Sequence, residues 1–268
     1  MDEQLSRWLG LREAADSRAR SDRLTRLILA ALPKAEPLQV LDLATGTGAN
    51  IRYLAPRLPP RQRWLAVDRS AELLGKLRAQ TLMPGCEIET RQTDLGVLTD
   101  RSIFAGRHLV TASALLDLVS ESWLRDLAGH CLREQAAALF TIVYNGRSLC
   151  SPPEPEDEMV RELFNRHQRR DKGLGGPAAG PGAADAAERA FTAAGYAVGR
   201  EQSDWALAPA DADMQCMLID GWAEAANEVD PTRASQIAGW RERRLAHVAE
   251  RRSSITVGHD DLAAWFPG

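Results

Sequence analysis

The sequence predicts an α/β protein with a doubly wound, mostly parallel, seven-stranded sheet, N-terminal helices and a helical lid or insertion. Three observations support this fold class. Short apolar runs alternate with helical patterns over residues 38–144, the first apolar run leads directly into a glycine-rich turn, and 44% of the 268 residues are hydrophobic. A chain of this length and composition can bury one substantial core. A single elaborated domain is therefore expected.

Seven apolar runs are the candidate strands. They lie at residues 38–44, 63–68, 86–92, 108–113, 136–144, 196–202 and 253–259. Most are rich in Val, Ile, Leu or Ala and too short for a helix of typical length, which favours buried strands. Because helical patterns separate most of them, parallel pairing is expected.

Helical spacing of apolar residues predicts the helices. Leu24, Leu27 and Ile28 belong to a pattern that predicts one amphipathic helix over about 13–32, ending near Pro33. The later helices are predicted at about 156–171, 183–194 and 211–228, with one more before the last strand. The expected organisation is an N-terminal helical cap at 1–36 and one domain at 37–268, with a lid at about 145–182 and a helical insertion at about 208–252.

Charge and cysteine content restrict the classes of function. The formal net charge is −4 and the basic residues are scattered, so no nucleic-acid partner is expected. The four cysteines are far apart, which fits a reducing cytoplasm and predicts neither a disulfide framework nor a metal site. No apolar run approaches the roughly 20 residues that span a bilayer. A cytoplasmic monomer or homodimer without a membrane partner is expected.

The densest motif is VLDLATGTGAN at residues 40–50, where a buried strand runs into a glycine turn and then a helix. Glycines at 46 and 48 permit backbone conformations closed to other residues and let a ligand lie against the main chain. The following helix directs unpaired N–H groups toward that ligand. Asp68 ends the next strand, where a carboxylate can accept hydrogen bonds from both hydroxyls of a ribose. Asp94 follows the third strand and is a candidate partner for an adenine amino group.

A dinucleotide site is the alternative use of such a turn. Its fingerprint requires a third glycine three positions after the second, but Ile51 occupies that position here. The spacing therefore disfavours a dinucleotide.

The ordered run VLDLATGTGAN, VDRS and TDL resembles the cofactor-binding motifs of class I S-adenosylmethionine (SAM)-dependent methyltransferases over about residues 38–144. The resemblance implies a Rossmann-like fold, S-adenosyl-L-methionine as cofactor and methyl transfer as the activity. Ala44 stands where the family usually has its first glycine. The cofactor-binding residues that the resemblance implies are Asp42, Ala44, Thr45, Gly46, Gly48, Asn50, Asp68, Arg69, Asp94, Leu95, Ser113 and Arg20 of the N-terminal helix.

Three residues are candidates for catalysis. Asp117 follows the fourth strand and is either a base or a helix cap. Tyr144 ends the fifth strand and is either a substrate contact or a core residue. His167 lies in a polar cluster before a glycine-rich hinge and is either a base near neutral pH or part of a solvated helix face.

Four residues are candidates for substrate binding. Arg169, Arg170 and Lys172 are candidates to bind a carboxylate or phosphate, with an ordinary charged helix face as the alternative. Trp205 is a candidate wall for an apolar or cationic substrate, with core packing as the alternative.

The predicted function is methyl transfer from SAM to a small-molecule acceptor by in-line displacement, for which the protein mainly has to align the reacting atoms. Two alternatives stay open: methylation of a macromolecule such as RNA or protein, and a non-catalytic SAM-fold protein that serves as a ligand sensor or scaffold.

Overall fold

The computed structural model of the chain describes residues 2–81 and 83–267. Over these residues it has nine α-helices and eight β-strands. The strands are β1 (Leu38–Leu43), β2 (Gln62–Asp68), β3 (Cys86–Gln92), β4 (Leu109–Ser113), β5 (Ala137–Ser151), β6 (Ala197–Gln202), β7 (Trp205–Leu207) and β8 (Ser254–Trp265). The helices are α1 (Asp2–Ala19), α2 (Asp22–Ala31), α3 (Ala49–Leu54), α4 (Ala71–Gln80), α5 (Glu121–Glu134), α6 (Asp157–Gln168), α7 (Ala183–Ala193), α8 (Ala212–Val229) and α9 (Ala234–Ala249).

The sheet is mixed α/β and mostly parallel, with the strand order β3-β2-β1-β4-β5-β8-β6. Strands β1 to β5 are parallel, and β8 runs antiparallel between β5 and β6. The order reverses between β2-β1 and β1-β4, which creates a switch point at the carboxyl end of β1. Ligands of doubly wound sheets bind in the crevice at such a point.

The predicted Rossmann-like fold is confirmed, but the strand number differs from the prediction. The eighth strand is the short β7, which pairs with the first part of β8 through Trp205, Ala206 and Leu207. A three-residue strand gives no visible alternation of apolar and polar residues, so it escaped the pattern analysis. Strand β5 is also longer than predicted, because it continues past Tyr144 into the segment assigned to the lid.

The single helix predicted over about 13–32 is wrong, because two helices cover this part of the chain and the first begins at Asp2. The break lies at Arg20 and Ser21. The Ser21 hydroxyl accepts a hydrogen bond from the Leu24 N–H at 3.0 Å and caps α2. The Ser21 N–H donates to Asp261 on β8 at 2.8 Å. These bonds start a new helix in a different direction.

Three apolar clusters form the core. The two faces of the sheet carry alternate residues of each strand, as Leu41 and Val40 illustrate. One face packs against α5 and α7, and the other packs against α2, α3 and α4. The third cluster joins α1, α6, α8 and α9 to β7 and to the outer parts of β5 and β8. Helix α2 thus packs on the sheet, whereas α1 belongs to the third cluster. We call the helices of that cluster, α1, α6, α8 and α9, the helical module.

Candidate active site

A cavity of about 400 Å³ opens at the carboxyl ends of β1, β2 and β4. Its floor is the turn that follows β1. Its roof is α1, which contributes Leu5, Leu9, Arg12 and Asp16. A volume of this size is typical of a site for a small organic molecule. The cavity therefore lies where the sheet topology places a ligand.

The turn after β1 brings the main chain against the cavity. Ala44 and Gly46 line it and have positive φ angles of 51° and 56°. Glycine adopts this conformation without steric cost, whereas Ala44 is strained by about 1 kcal/mol. The Gly46 N–H donates to Asp68 Oδ2 at 2.8 Å, which ties the turn to the end of β2. Thr45 also lines the cavity, as the sequence predicted.

Gly48 does not line the cavity, so its predicted direct contact with a cofactor is wrong. Its φ angle is 86°, and a Cβ atom added there would lie 2.9 Å from Leu77 Cγ on α4. The missing side chain makes room for α4 and leaves the ligand side untouched. Gly48 therefore lets α4 pack closely against the turn.

Gly48→Ala is expected to lower the free energy of unfolding by about 2 kcal/mol, because a left-handed alanine is strained and its methyl group overlaps Leu77. Urea unfolding followed by circular dichroism measures the change. Gly75→Ala is the matched control, because Gly75 lies within α4 and an added Cβ has no neighbour within 4 Å. The control should gain about 0.5–1 kcal/mol. Equal stability of Gly48→Ala and wild type would contradict the packing argument.

Two carboxylates beyond the turn also line the cavity, as predicted: Asp68 at the end of β2 and Asp94 just after β3. Asp68 Oδ1 accepts the Ser70 N–H at 2.9 Å, and Asp94 Oδ1 accepts the Gly96 N–H at 2.8 Å. A carboxylate has about four acceptor positions, so each of these groups can accept further hydrogen bonds from a ligand. The neighbouring Arg69 and Leu95 line the same wall.

A buried polar network lies under the turn. Asp42 is fully buried, and its two oxygens accept hydrogen bonds from Thr45 Oγ1 at 2.5 Å and Asn50 Nδ2 at 2.6 Å. Burial raises the pKa of Asp42 to about 6, against the lowering effect of these two hydrogen bonds. Asp42 and Asn50 also contact the cavity, as predicted.

Arg20 extends this network, although it does not line the cavity. Its Nη1 donates to Asn50 Oδ1 at 2.7 Å, and its Nη2 donates to Ser113 Oγ at 3.0 Å. Its guanidinium carbon lies 4.5 Å from the centre of the Tyr53 ring. Burial lowers the pKa of Arg20, whereas Asp16 and other carboxylates raise it. Arg20 joins the turn region to the end of β4, so its predicted direct contact with the cofactor is replaced by a structural role.

A further part of the wall comes from the end of β4, from the short helical turn after it, and from the segment after α6, in which the Gly173 carbonyl oxygen lies beside Gly96. Ser113 lies here, as predicted, and so does Lys172. The other residues of this wall are Ala114, Leu115, Leu118, Gly173 and Leu174. This part of the cavity is mostly apolar and carries one lysine.

The contribution of α1 is the largest feature that the sequence analysis missed. Leu5, Leu9, Arg12 and Asp16 follow one another at intervals of four, three and four residues, which places them on one face of a helix. That spacing could have revealed the helix and its inward face. Strong charge along the segment hid the pattern, because two of the four positions are ionic.

Asp117 lies behind the cavity wall, is buried, and does not line the cavity. Its Oδ1 atom has no hydrogen-bond partner among the described residues. Burial raises its pKa to about 6, and the Arg12 and Lys172 charges act in the opposite direction. The base role predicted for Asp117 would need an opening in the wall.

Asp117→Asn is expected to remove one contribution to the pH dependence of stability. The raised pKa means that the folded protein holds a proton that the unfolded chain releases between about pH 4 and pH 6. The contribution of this carboxyl group to stability therefore falls as the pH rises through that window. The unfolding free energy at pH 4.5 minus that at pH 7.5 should be about 1–2 kcal/mol lower in Asp117→Asn than in wild type. Asp126→Asn, at an exposed carboxylate, should leave it unchanged. An unchanged difference in Asp117→Asn would contradict the burial argument.

Tyr144 and Trp205, each predicted as a substrate contact or a core residue, are not among the residues that line the cavity. Both belong to the third apolar cluster. The Tyr144 hydroxyl donates to Asn165 Oδ1 at 2.9 Å, and Trp205 Nε1 donates to Asp16 Oδ1 at 3.0 Å. Their rings pack inside the helical module, because the apolar body of an aromatic side chain is buried most completely there.

His167, Arg169 and Arg170, each predicted as a functional residue or part of a charged helix face, are not among the residues that line the cavity. Arg170 Nη1 donates to Glu228 Oε2 on α8 at 2.8 Å, and Arg169 is exposed. His167 Nε2 lies 3.2 Å from the same Glu228 oxygen. The His167 and Arg170 side chains thus contact α8 through Glu228.

Within residues 2–81 and 83–267 no group of three or more His, Cys, Asp and Glu side chains is arranged to hold a metal ion. No helix in the described part of the chain combines the length and apolarity needed to cross a bilayer.

Comparison with known proteins gives one family match. Residues 40–134 match the family model described as a methyltransferase domain. This segment begins in β1, ends with α5, and contains the turn, Asp68 and Asp94. No curated protein sequence matches the chain.

Solved structures with a similar fold include the YcgJ protein of Bacillus subtilis, with 14% identity, a TM-score of 0.49, and coverage of 92% of this chain and 100% of that one. A SAM-dependent methyltransferase from Geobacter sulfurreducens, in complex with S-adenosyl-L-homocysteine, has 16% identity, a TM-score of 0.47, and coverage of 93% and 92%. Geranyl diphosphate C-methyltransferase from Streptomyces coelicolor has 13% identity, a TM-score of 0.44, and coverage of 91% and 80%. These distant likenesses carry no conclusion about ligands.

The family match falls on the segment that forms the floor and the acidic wall of the cavity. The motif order, the sheet order and the family model agree on the same residues. Residues 40–134, which contribute most of this site, therefore match a methyltransferase domain.

Proposed function

We propose that the cavity binds SAM and that the chain transfers the methyl group to a small-molecule acceptor. One observation carries this proposal: the cavity lies at the switch point of the sheet, and its floor and acidic wall come from the segment that matches a methyltransferase domain. The volume of about 400 Å³ and the partial cover by α1 suit a small organic ligand.

The residues of the floor and the acidic wall fit SAM. Asp68 retains acceptor capacity for ribose hydroxyls, and Asp94 retains it for an exocyclic amino group. Gly46 adds no side chain to the floor, and a Cβ atom there would lie 3.1 Å from Leu9 Cδ1 of the roof. The fully buried Asp42 adds negative charge beneath the site of a cationic ligand, and its pKa of about 6 leaves it mostly ionised at neutral pH.

When bound, SAM supplies a sulfonium methyl group, whose bond to sulfur breaks as an acceptor lone pair forms the new bond to carbon and sulfur keeps the electron pair. The protein supplies alignment, because such a displacement needs the nucleophile in line with the methyl group. Ser113 and Ala114 end β4 beside the floor, and Leu115 and Leu118 continue the wall. The roof helix α1 limits the access of water to the same space.

Calorimetric titration with SAM and with S-adenosyl-L-homocysteine tests the cofactor assignment. Binding of both in the micromolar range is expected, and failure of both to bind would overturn it. The transfer itself is tested with methyl-labelled SAM and a cell extract separated into small-molecule, protein and RNA fractions. Label in the small-molecule fraction supports the proposal. Label confined to protein or RNA would assign a macromolecular acceptor instead, and binding without any transfer would indicate a non-catalytic protein.

A further inference from the structure

The charges of the cavity are divided between two sides. Asp42, Asp68 and Asp94, with Arg69 as the cation beside Asp68, belong to the floor and the acidic wall, where we place SAM. Arg12 belongs to the roof and Lys172 to the wall segment after α6, in the part of the cavity that we assign to the acceptor. Asp16 is the one carboxylate of the roof that lines the cavity, and it is bound to Arg12. The acceptor side of the cavity is therefore more basic than the cofactor side.

Arg12 is held in a fixed orientation with part of its guanidinium group free. Its Nε donates to Asp16 Oδ2 at 2.9 Å, and the other oxygen of Asp16 accepts the Trp205 Nε1–H at 3.0 Å. The guanidinium carbon lies 5.4 Å from the centre of the Trp205 ring. Over residues 2–81 and 83–267, neither terminal nitrogen of Arg12 has a protein hydrogen-bond partner. These nitrogens can bind an anion in a bidentate manner.

Lys172 is a second cation without a carboxylate partner. No carboxylate oxygen of the described residues lies within 4.0 Å of its ammonium nitrogen. Its nearest polar partner is His167 Nδ1, at 3.3 Å, and His167 Nε2 lies 3.2 Å from Glu228. When Nδ1 accepts a hydrogen bond from the Lys172 ammonium group, Nε2 carries the ring hydrogen and donates a hydrogen bond to Glu228 Oε2. His167 is thus a positioning residue for the lysine.

The same part of the cavity has apolar lining residues. Leu115, Leu118 and Leu174 line it from the wall and Leu5 from the roof, whereas Leu9 lies against Gly46 of the floor. Leucine side chains make favourable contacts with hydrocarbon and leave a charged group without hydrogen bonds. A ligand of this space needs an apolar body and an anionic end.

We propose that the methyl acceptor is an amphipathic organic acid, whose carboxylate or phosphate group is bound by Arg12 and Lys172 and whose apolar body lies against the leucines. The inference rests on the proposed function, because it assigns the part of the cavity that SAM leaves free. Sequence patterns indicated basic residues for an anionic substrate in the segment after α6. The structure retains Lys172 of that set and adds Arg12 from the roof.

Binding of simple probes to the full chain saturated with S-adenosyl-L-homocysteine tests the proposal. The probes are hexanoate, hexyl phosphate and hexan-1-ol, which share an alkyl chain and differ in the head group. Calorimetry should show at least one of the two anions binding about tenfold or more tightly than the alcohol, because charge-assisted hydrogen bonds are the stronger ones. The tighter anion identifies a carboxylate or a phosphate site. Equal affinity for the alcohol and both anions would overturn the proposal.

Variants locate the anion. Lys172→Gln and Arg12→Gln should each weaken binding of the preferred anion by about tenfold, with little change in hexan-1-ol binding. The matched controls are Lys34→Gln, at an exposed lysine, and Arg7→Gln, at an exposed arginine on the same helix as Arg12. Both controls should bind the anion as wild type does. Wild-type affinity in Lys172→Gln would overturn the assignment.

Arg12→Gln also removes the ion pair between Arg12 and Asp16 in the roof helix, so its effect on anion binding includes any change in the roof. Lys172→Gln therefore gives the decisive result. His167→Gln should shift the pH dependence of anion binding, because His167 contacts the Lys172 ammonium group. The readout with S-adenosyl-L-homocysteine separates the two levels of inference. If that compound does not bind, the proposed function fails. If S-adenosyl-L-homocysteine binds but neither anion binds more tightly than hexan-1-ol, only the assignment of the acceptor fails.

Discussion

Asp68→Ala is expected to weaken SAM binding by about 3 kcal/mol, or about a hundredfold. The carboxylate lines the cavity and also accepts the N–H groups of Gly46 and Ser70. Without this carboxylate the ribose hydroxyls of the ligand lose their hydrogen-bond acceptor, and the Gly46 N–H is buried without a partner. Both losses act on the same turn, so the effect should exceed that of a single surface hydrogen bond. Calorimetric titration with SAM measures it.

Two variants calibrate the loss at Asp68. Asp68→Asn keeps the shape and one acceptor atom, so its affinity should lie between those of wild type and Asp68→Ala. Asp94→Ala should cost less, because the Asp94 carboxylate accepts one N–H group, from Gly96, at the cavity edge. An Asp68→Ala protein that is folded and binds SAM as tightly as wild type would remove the basis for placing the ribose at the end of β2.

Arg244→Met is expected to lower the free energy of unfolding by about 3 kcal/mol, at the lower end of the range for breaking a buried ion pair. The Arg244 side chain is fully buried, and it binds both oxygens of Asp157 at the start of α6. It also donates to the Pro152 carbonyl oxygen at 2.5 Å. Methionine fills similar space but leaves Asp157 with Trp240 as its remaining side-chain partner.

Chemical unfolding of purified Arg244→Met measures this loss. Arg241→Gln is the matched control on the same helix, because its ion pair with Asp220 is about half exposed on both sides. An exposed pair contributes less than about 1 kcal/mol. The control should therefore unfold close to wild type. Equal stabilities of Arg244→Met and Arg241→Gln would show that the buried pair does not hold α9 against α6.

The part of the fold that follows from local sequence was predicted well. Strands β1, β2 and β4 lie within one residue of their apolar runs, because a buried parallel strand must be apolar on both faces. Strand β3 also has the predicted bounds, although it lies at the edge of the sheet and is only partly buried. The break at Arg20 and the strand β7 were missed. Both depend on partners that are distant in sequence, namely Asp261 for the first and β8 for the second.

The candidate site, like the fold, was predicted only where its residues follow from local sequence. The turn residues, Asp68 and Asp94 were predicted because they follow strand ends, and the carboxyl ends of parallel strands meet at one edge. His167 and Trp205 were expected in the cavity and point elsewhere, because Glu228 and Asp16 bind them. Sequence proximity to a site does not determine the direction of a side chain.

The Arg20 side chain links the start of α3, the end of β4 and the ring of Tyr53. A floor braced in this way is already pre-organised, so an incoming ligand does not have to order it. In a loose site, part of the free energy of association is spent on immobilising side chains. In a pre-organised site, that free energy contributes to affinity and alignment.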